Sequence, residues 1–326
     1  MLAKSPAKEI RSGSKPSAPI SSPKRSLSTF SSGKTPEKLM PVDTSASFED
    51  TWQPVMAGAA QEQRETIMMS ISGLPKHGKT HLAFTAVDFE GFEGVFVKLP
   101  PGAPVYCIGT ENTSIIEKGN NFADKPVFVQ EVKALDSQGK VDWVESIRNF
   151  EKFLSGLSGV KVGTLVIDNW SDINDWLYYI NVEFVLGIGF DQFGQPNRAV
   201  TPTEHKWREK EGKKYLTMMR GLSTMVVLVN RVKPEYVKKE GESGPFAFQP
   251  TGELVNEGTK GSEYFYDMDF RIQKAIEVDE ETGQQVYYRR GWVIGSRWEK
   301  KEVTLDRTRF RNPTYSDIIE SIKPYL

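Results

Sequence analysis

From about Trp52 onward, short apolar runs alternate with longer stretches in which apolar residues recur at helical spacing. The runs at 66–72, 95–99, 105–108, 127–131, 164–167 and 225–229 have the length and β-branched content of buried strands. Between them, 81–88, 143–157 and 206–222 carry the helical pattern. Strand–helix alternation of this kind predicts an α/β core with a mainly parallel central sheet. The pattern changes beyond residue 268. Segments 268–277, 285–294 and 302–306 follow one another as strands, with Asp279-Glu280-Glu281-Thr282-Gly283 as a hairpin turn, which predicts an antiparallel C-terminal strand extension. A terminal helix is expected over 315–322, opened by Asn312-Pro313-Thr314 and capped by Thr314 with Asp317 three residues later. No internal repeat is visible.

Residues 1–50 read differently. They are rich in Ser, Pro and Lys and nearly devoid of aromatic and β-branched side chains, so they cannot bury enough apolar surface to offset their ordering entropy. The expectation is a disordered tail at 1–50 and a folded domain over 51–326. The tail's basic residues, among them Lys4, Lys8, Arg11, Lys24 and Arg25, outnumber its acidic ones. They suit either weak, salt-sensitive attraction to nucleic acid or simple solvation.

Composition narrows the chemistry. The chain has 326 residues, is 38% hydrophobic and carries a net charge of -1, which neither demands nor excludes a nucleic-acid partner. The single cysteine, Cys107, rules out an internal disulfide and a cysteine-based zinc site. With histidine only at 77, 81 and 205, the expected metal is Mg²⁺ carried by a nucleotide. No apolar run approaches the length of a membrane span and the N-terminus lacks a signal-like apolar segment, so a cytoplasmic protein without a membrane partner is expected.

The chemistry itself sits after the first strand. Gly73-Leu74-Pro75-Lys76-His77-Gly78-Lys79-Thr80 satisfies G-x-x-x-x-G-K-[ST], with the apolar run 67–72 before it and a helix opening at His81 after it. The glycines let backbone N–H groups close on phosphate oxygens, Lys79 reaches the β- and γ-phosphates, and the Thr80 hydroxyl ligates Mg²⁺. Such a loop needs an acidic partner at the end of a facing strand, and Asp168 ends Thr164-Leu165-Val166-Ile167. Asn169, not Glu, follows it, so a group to position water must come from elsewhere. Glu111 ends the strand run that starts at Val105, and in a parallel sheet strand ends gather on one side. Asn230, which ends the run 225–229, is either a sensor of the γ-phosphate or a turn residue.

With these residues in order, the chain resembles the RecA-like P-loop ATPases, and more narrowly the phage-encoded single-domain ATPases that serve in single-strand annealing or recombination. The resemblance covers roughly 66–300, on Gly73–Thr80, Glu111, Asp168 and Val229-Asn230-Arg231; Arg231 departs from the Gln of that family. It implies ATP and Mg²⁺ as cofactors, a ring or filament of identical chains, single-stranded DNA as partner, and single-strand-binding or other recombination proteins nearby. It further implies that Arg297, in Trp292-Val293-Ile294-Gly295-Ser296-Arg297, reaches a neighbouring subunit's nucleotide, although Gly295 breaks the family pattern there. Two DNA-facing loops fall near 187–204, with Phe190, Phe193 and Arg198, and near 233–258, with Lys233, Tyr236, Lys238, Lys239, Phe246 and Phe248. Arg307, Arg309 and Arg311 alternate on one face of 305–311, either to bind phosphate or to solvate an edge strand. Two other functions stay open: a nucleotide-gated scaffold without catalysis, and a small-molecule phosphoryl transferase.

Overall fold

A computed structural model describes residues 66–94, 98–222, 225–238, 248–257, 262–279, 283–296 and 309–325. Backbone contacts divide the chain into a unit Met1–Pro54 and a unit Val55–Leu326, and every described residue belongs to the second. The expected tail, Arg297, Arg307 and the strand at 302–306 therefore lie outside the described residues.

The second unit is an α/β domain. Its sheet runs β12(Arg309–Arg311), β11(Gln285–Ser296), β10(Met268–Val278), β1(Met68–Ser72), β7(Met225–Asn230), β6(Thr164–Asp168), β4(Val105–Gly109), β5(Val127–Glu131). The six strands from β10 to β5 are parallel, and β11 and β12 extend the sheet in antiparallel fashion. The mainly parallel sheet with antiparallel C-terminal strands is the architecture the hydrophobic pattern predicts. Every residue of β1, β6 and β7 is buried, because helices cover both faces of a parallel sheet and leave no solvent side to alternate toward.

One face holds α1(Lys79–Phe84) and α6(Tyr315–Ile322), with Leu82, Phe84, Ile318 and Ile322 packed on Val227, Val229 and Phe270. The other holds α3(Trp143–Gly156), α4(Trp170–Ile180) and α5(Lys206–Arg220), where Phe150, Trp170 and Tyr215 meet Leu165, Ile167, Val226 and Leu228. Each such side chain contributes about 1.5–3 kcal/mol on burial. The terminal helix begins as read: Thr314 and Asp317 exchange the bonds of a capping box.

Four elements depart from the pattern reading. Helix α2(Thr113–Asn121) and helix α4 fill stretches with no helix expected. Of the run at 95–99, the described residues form β3(Lys98–Leu99), paired with β2(Phe92–Glu93) outside the main sheet. The expected loop at 233–258 is in its described parts a hairpin, β8(Val232–Lys238) paired antiparallel with β9(Phe248–Asn256). Among the described residues, no helix is long and apolar enough to cross a membrane.

Candidate functional site

The loop Gly73–Thr80 leaves β1 pressed against its neighbour strand. A Cβ at Gly73 would lie 2.4 Å from the carbonyl oxygen of Ile272, so nothing larger fits. At the other end Gly78 takes φ +86°, a left-handed conformation that glycine adopts without penalty, and its carbonyl accepts the first helical bond of α1, from Leu82 N at 3.0 Å. Lys79 folds back over the loop, its Nζ donating to the carbonyl oxygens of Gly73 at 2.9 Å and Leu74 at 3.0 Å. Burial of the ammonium lowers its pKa, while Asp168 and Glu111 work in the opposite direction. Leu74, Pro75 and Lys76 stand exposed along the rim.

Across the sheet end, the Thr80 hydroxyl donates to Asp168 Oδ2 at 2.8 Å, joining two residues 88 positions apart. The Ser114 hydroxyl on α2 donates to the same oxygen at 2.8 Å. Asp168 is 7% exposed, and burial pushes its pKa up against the pull of Ser114, Thr80 and Lys79. Motif reading finds Thr80 and Asp168; Ser114 carries no sequence signal.

Glu111 stands two residues past β4, at the same sheet end. Its Oε2 accepts from Thr113 Oγ1 at 3.2 Å and its Oε1 from Asn169 Nδ2 at 3.5 Å. Asn169, the residue after Asp168, thus faces the Glu111 carboxylate. Beneath them Thr110 N donates to the Asp168 carbonyl at 2.7 Å, and Asn169 N donates to Thr110 Oγ1 at 3.0 Å, which ties the ends of β4 and β6 together.

Three of the expected groups make contacts within the fold. The Asn230 side chain does not reach the loop: Val229 faces α1, so strand alternation turns Asn230 to the opposite layer. There it is buried and donates to Ser70 Oγ at 3.0 Å. His81, placed with the loop, directs its Nδ1 to Glu117 Oε1 at 2.7 Å and its ring to Phe122. In segment 187–204, Phe190 packs on Trp143 and Tyr179, Arg198 is exposed but paired with Glu204 at 2.6 Å, and Phe193 projects, at 78% exposure.

Arg231 is the centre of an ion-pair cluster. Its guanidinium spans Asp172 at 2.7 Å, Asp175 at 2.5 Å and Glu257 at 2.8 Å. The Ser171 hydroxyl accepts from Arg231 N at 3.0 Å and donates to the Glu257 carbonyl at 2.6 Å. The foot of the β8–β9 hairpin is thereby fastened to the first turn of α4, which Asn169 caps beside Glu111.

Two cavities flank the loop. One, of about 370 Å³, is lined by Lys76 and His77 together with Lys274, Tyr287, Tyr288, Arg289 and Asn312. The other, of about 340 Å³, runs from Gly73 and Leu74 to Arg271, Trp292 and the hairpin residues Val232 and Leu254. Burial lowers the pKa of His77, and Lys79 and Lys274 lower it further.

No protein-family model matches the chain, and no curated protein matches it. Among solved structures, the chain is similar to a KaiC-like protein from the hyperthermophilic archaeon Pyrococcus horikoshii OT3. The two share 14% identity over 76% of this chain and 85% of the other, with a TM-score of 0.39.

Proposed function

We propose that the chain is a Mg²⁺-dependent ATPase of the RecA-like kind. The observation that carries this reading is the 2.8 Å bond from Thr80, the last residue of the phosphate loop, to the buried carboxylate of Asp168. A hydroxyl and a carboxylate are hard oxygen donors, the set that suits Mg²⁺ shared with phosphate oxygens. Thr80 and Asp168 would hold the ion, which when bound neutralises charge on the β- and γ-phosphates.

The protein's own groups do the rest. Lys79 exchanges the carbonyls of Gly73 and Leu74 for phosphate oxygens, trading neutral acceptors for charged ones. Glu111, steadied by Asn169 and Thr113, orients a water and takes its proton. The water oxygen bonds to the γ-phosphorus as the bond to the β–γ bridging oxygen breaks, and ADP leaves with that electron pair.

The partner we propose is single-stranded DNA, bound by an oligomer of this chain. Support comes from the β8–β9 hairpin, which presents Lys233 and Tyr236, the latter 57% exposed, a cation and a flat ring suited to backbone attraction and base stacking. The internal packing of Phe190 and pairing of Arg198 give the 187–204 segment a smaller part.

The test is Mg²⁺–ATP binding and hydrolysis for the parent, Lys79→Ala and Glu111→Gln proteins, with and without single-stranded DNA, over a range of protein concentration. Lys79→Ala is expected to weaken binding about 30- to 1,000-fold. Glu111→Gln is expected to keep binding and lose about 100-fold or more in rate. A Lys79→Ala protein that hydrolyses ATP at the parent rate refutes the mechanism. Binding without hydrolysis in the parent supports the scaffold reading, and turnover of a small acceptor supports the transferase.

A further inference from the structure

Among the described residues, the cavity of about 370 Å³ beside the loop is lined by three cations, Lys76, Lys274 and Arg289, and by no carboxylate. Two of them are forced together: Lys274 and Arg289 are directly opposite in the β10–β11 ladder, a like-charge arrangement that disfavours the sheet by itself. The Lys274 ammonium sits 4.3 Å from the centre of the Tyr287 ring.

Arg289 is not a loose surface side chain. Its backbone is clamped on both sides by Asn312, whose Oδ1 accepts from Arg289 N at 2.8 Å and whose N donates to the Arg289 carbonyl at 2.6 Å. Its side chain then crosses the phosphate loop. A Cβ built on Gly78 would lie 2.2 Å from Arg289 Nε and 2.9 Å from its Cζ, so the guanidinium is laid against the second loop glycine. A cluster of like charge, built beside a loop whose backbone amides would receive phosphate, is offset when an anion enters.

We propose that Arg289 is a phosphate-contacting residue that acts in cis, reaching the polyphosphate of the bound nucleotide across Gly78 from the chain's own β11. This rests on the ATPase reading of the loop and adds to it a cation from the same subunit as Lys79. A guanidinium so placed offers a planar fork of donors to phosphate oxygens, which lysine cannot reproduce.

The test measures binding of Mg²⁺–ATP and of Mg²⁺–tripolyphosphate, which has no base or ribose, to the parent, Arg289→Gln, Arg289→Lys and Lys79→Ala chains. Thermal unfolding without ligand monitors the fold. Arg289→Gln is expected to weaken both ligands by about 10- to 100-fold, and Arg289→Lys to recover part of the loss. A 1:1 mixture of Lys79→Ala and Arg289→Gln chains is expected to show no more activity than the two alone, since each site needs both residues from one chain.

An Arg289→Gln chain that binds both ligands within 3-fold of the parent, or one that loses ATP but keeps tripolyphosphate, overturns the proposal. So does recovery of activity on mixing. If Arg289→Gln does not fold, Arg289→Lys decides alone: binding of tripolyphosphate unchanged by the loss of the fork overturns the contact. Failure of Arg289→Gln to weaken binding while Lys79→Ala does sinks this proposal only, whereas no effect from either sinks the phosphate-loop reading.

Discussion

Replacing Asp168 by Asn separates what this carboxylate costs the fold from what it contributes to the site. Asp168 is 7% exposed, and its two hydroxyl donors, Thr80 and Ser114, both bond to Oδ2 at 2.8 Å. An asparagine with Oδ1 at that point accepts both. Each bond falls from about 1.5–3 kcal/mol, typical of a charged acceptor, to about 0.5–1.5, a loss of about 2–3 kcal/mol for the pair. Against that, the effective penalty for burying an ion, several kcal/mol, disappears. The net change in the ligand-free protein at pH 7 is within about 2 kcal/mol, in the stabilising direction.

The pH dependence has a definite sign. Burial raises the pKa of Asp168 above its ordinary 3.8, so the folded state favours the protonated acid. The stability this gives is full below the unfolded value and is lost as pH rises through the folded one. Asparagine keeps a neutral side chain throughout, so its advantage over aspartate grows across that window and levels off above it.

Calorimetric unfolding with a non-hydrolysable ATP analogue, in EDTA and in excess Mg²⁺, reads both sides. For a domain of this size 1 kcal/mol moves Tm by about 2–4 °C. The ligand-free Asp168→Asn protein is expected to melt up to about 4–8 °C above the parent. The parent at a ligand concentration of about 100 Kd gains about 2.7 kcal/mol, and the Mg²⁺-dependent share of that gain is expected to vanish in the variant. A variant that keeps the Mg²⁺-dependent gain refutes the assignment of Asp168, and a ligand-free loss above about 3 kcal/mol refutes the energetic reasoning.

Arg231→Ala leaves Asp172, Asp175 and Glu257 facing one another. With the guanidinium's side chain 32% exposed, the loss at pH 7 is expected to be about 1–3 kcal/mol in urea unfolding. Burial already raises the pKa of Asp175, so protonation of that carboxylate narrows the deficit as pH falls; a deficit that does not change with pH would assign the effect to packing. Cys107, wholly buried in β4 with its thiol pKa raised by burial, is expected to react with a thiol reagent only at the rate of unfolding. Immediate labelling of the native protein would show that the centre of the sheet opens.

The parts legible in the sequence share a physical property. The central strands are covered on both faces, so each reads as an unbroken apolar run, and Asp168 and Glu111 are conspicuous as the first carboxylates where such runs stop. Helix α4 had a usable signal: Asn169 accepts from Asp172 N at 2.7 Å, an N-cap written in the residues right after Asp168, ahead of Trp170, Ile173 and Leu177. Helix α2 is weaker, since it leaves Ile115 and Ile116 exposed and contains Gly119. The β8–β9 hairpin gives no alternation, because its described residues range from half-buried to exposed, and Pro234 adjoins a register shift.

What the sequence conceals is side-chain direction. Asn230 and Arg289 both sit in strands, where a change of one position carries a side chain to the other layer. Alternation of apolar and polar residues normally reveals which layer is which, and β7, apolar throughout, erases it: Val229 could have faced either way, and with it Asn230. In β11 the deciding residue is Gly291, whose missing Cβ admits the Phe270 ring and so puts the odd positions, Arg289 among them, on the α1 side. That fact belongs to a contact between strands, not to either strand's sequence. The burial on both faces that makes a central strand easy to find is therefore what hides the orientation of the polar residue at its end, and the approach of Arg289 to Gly78 becomes visible only when β10 and β11 are in register.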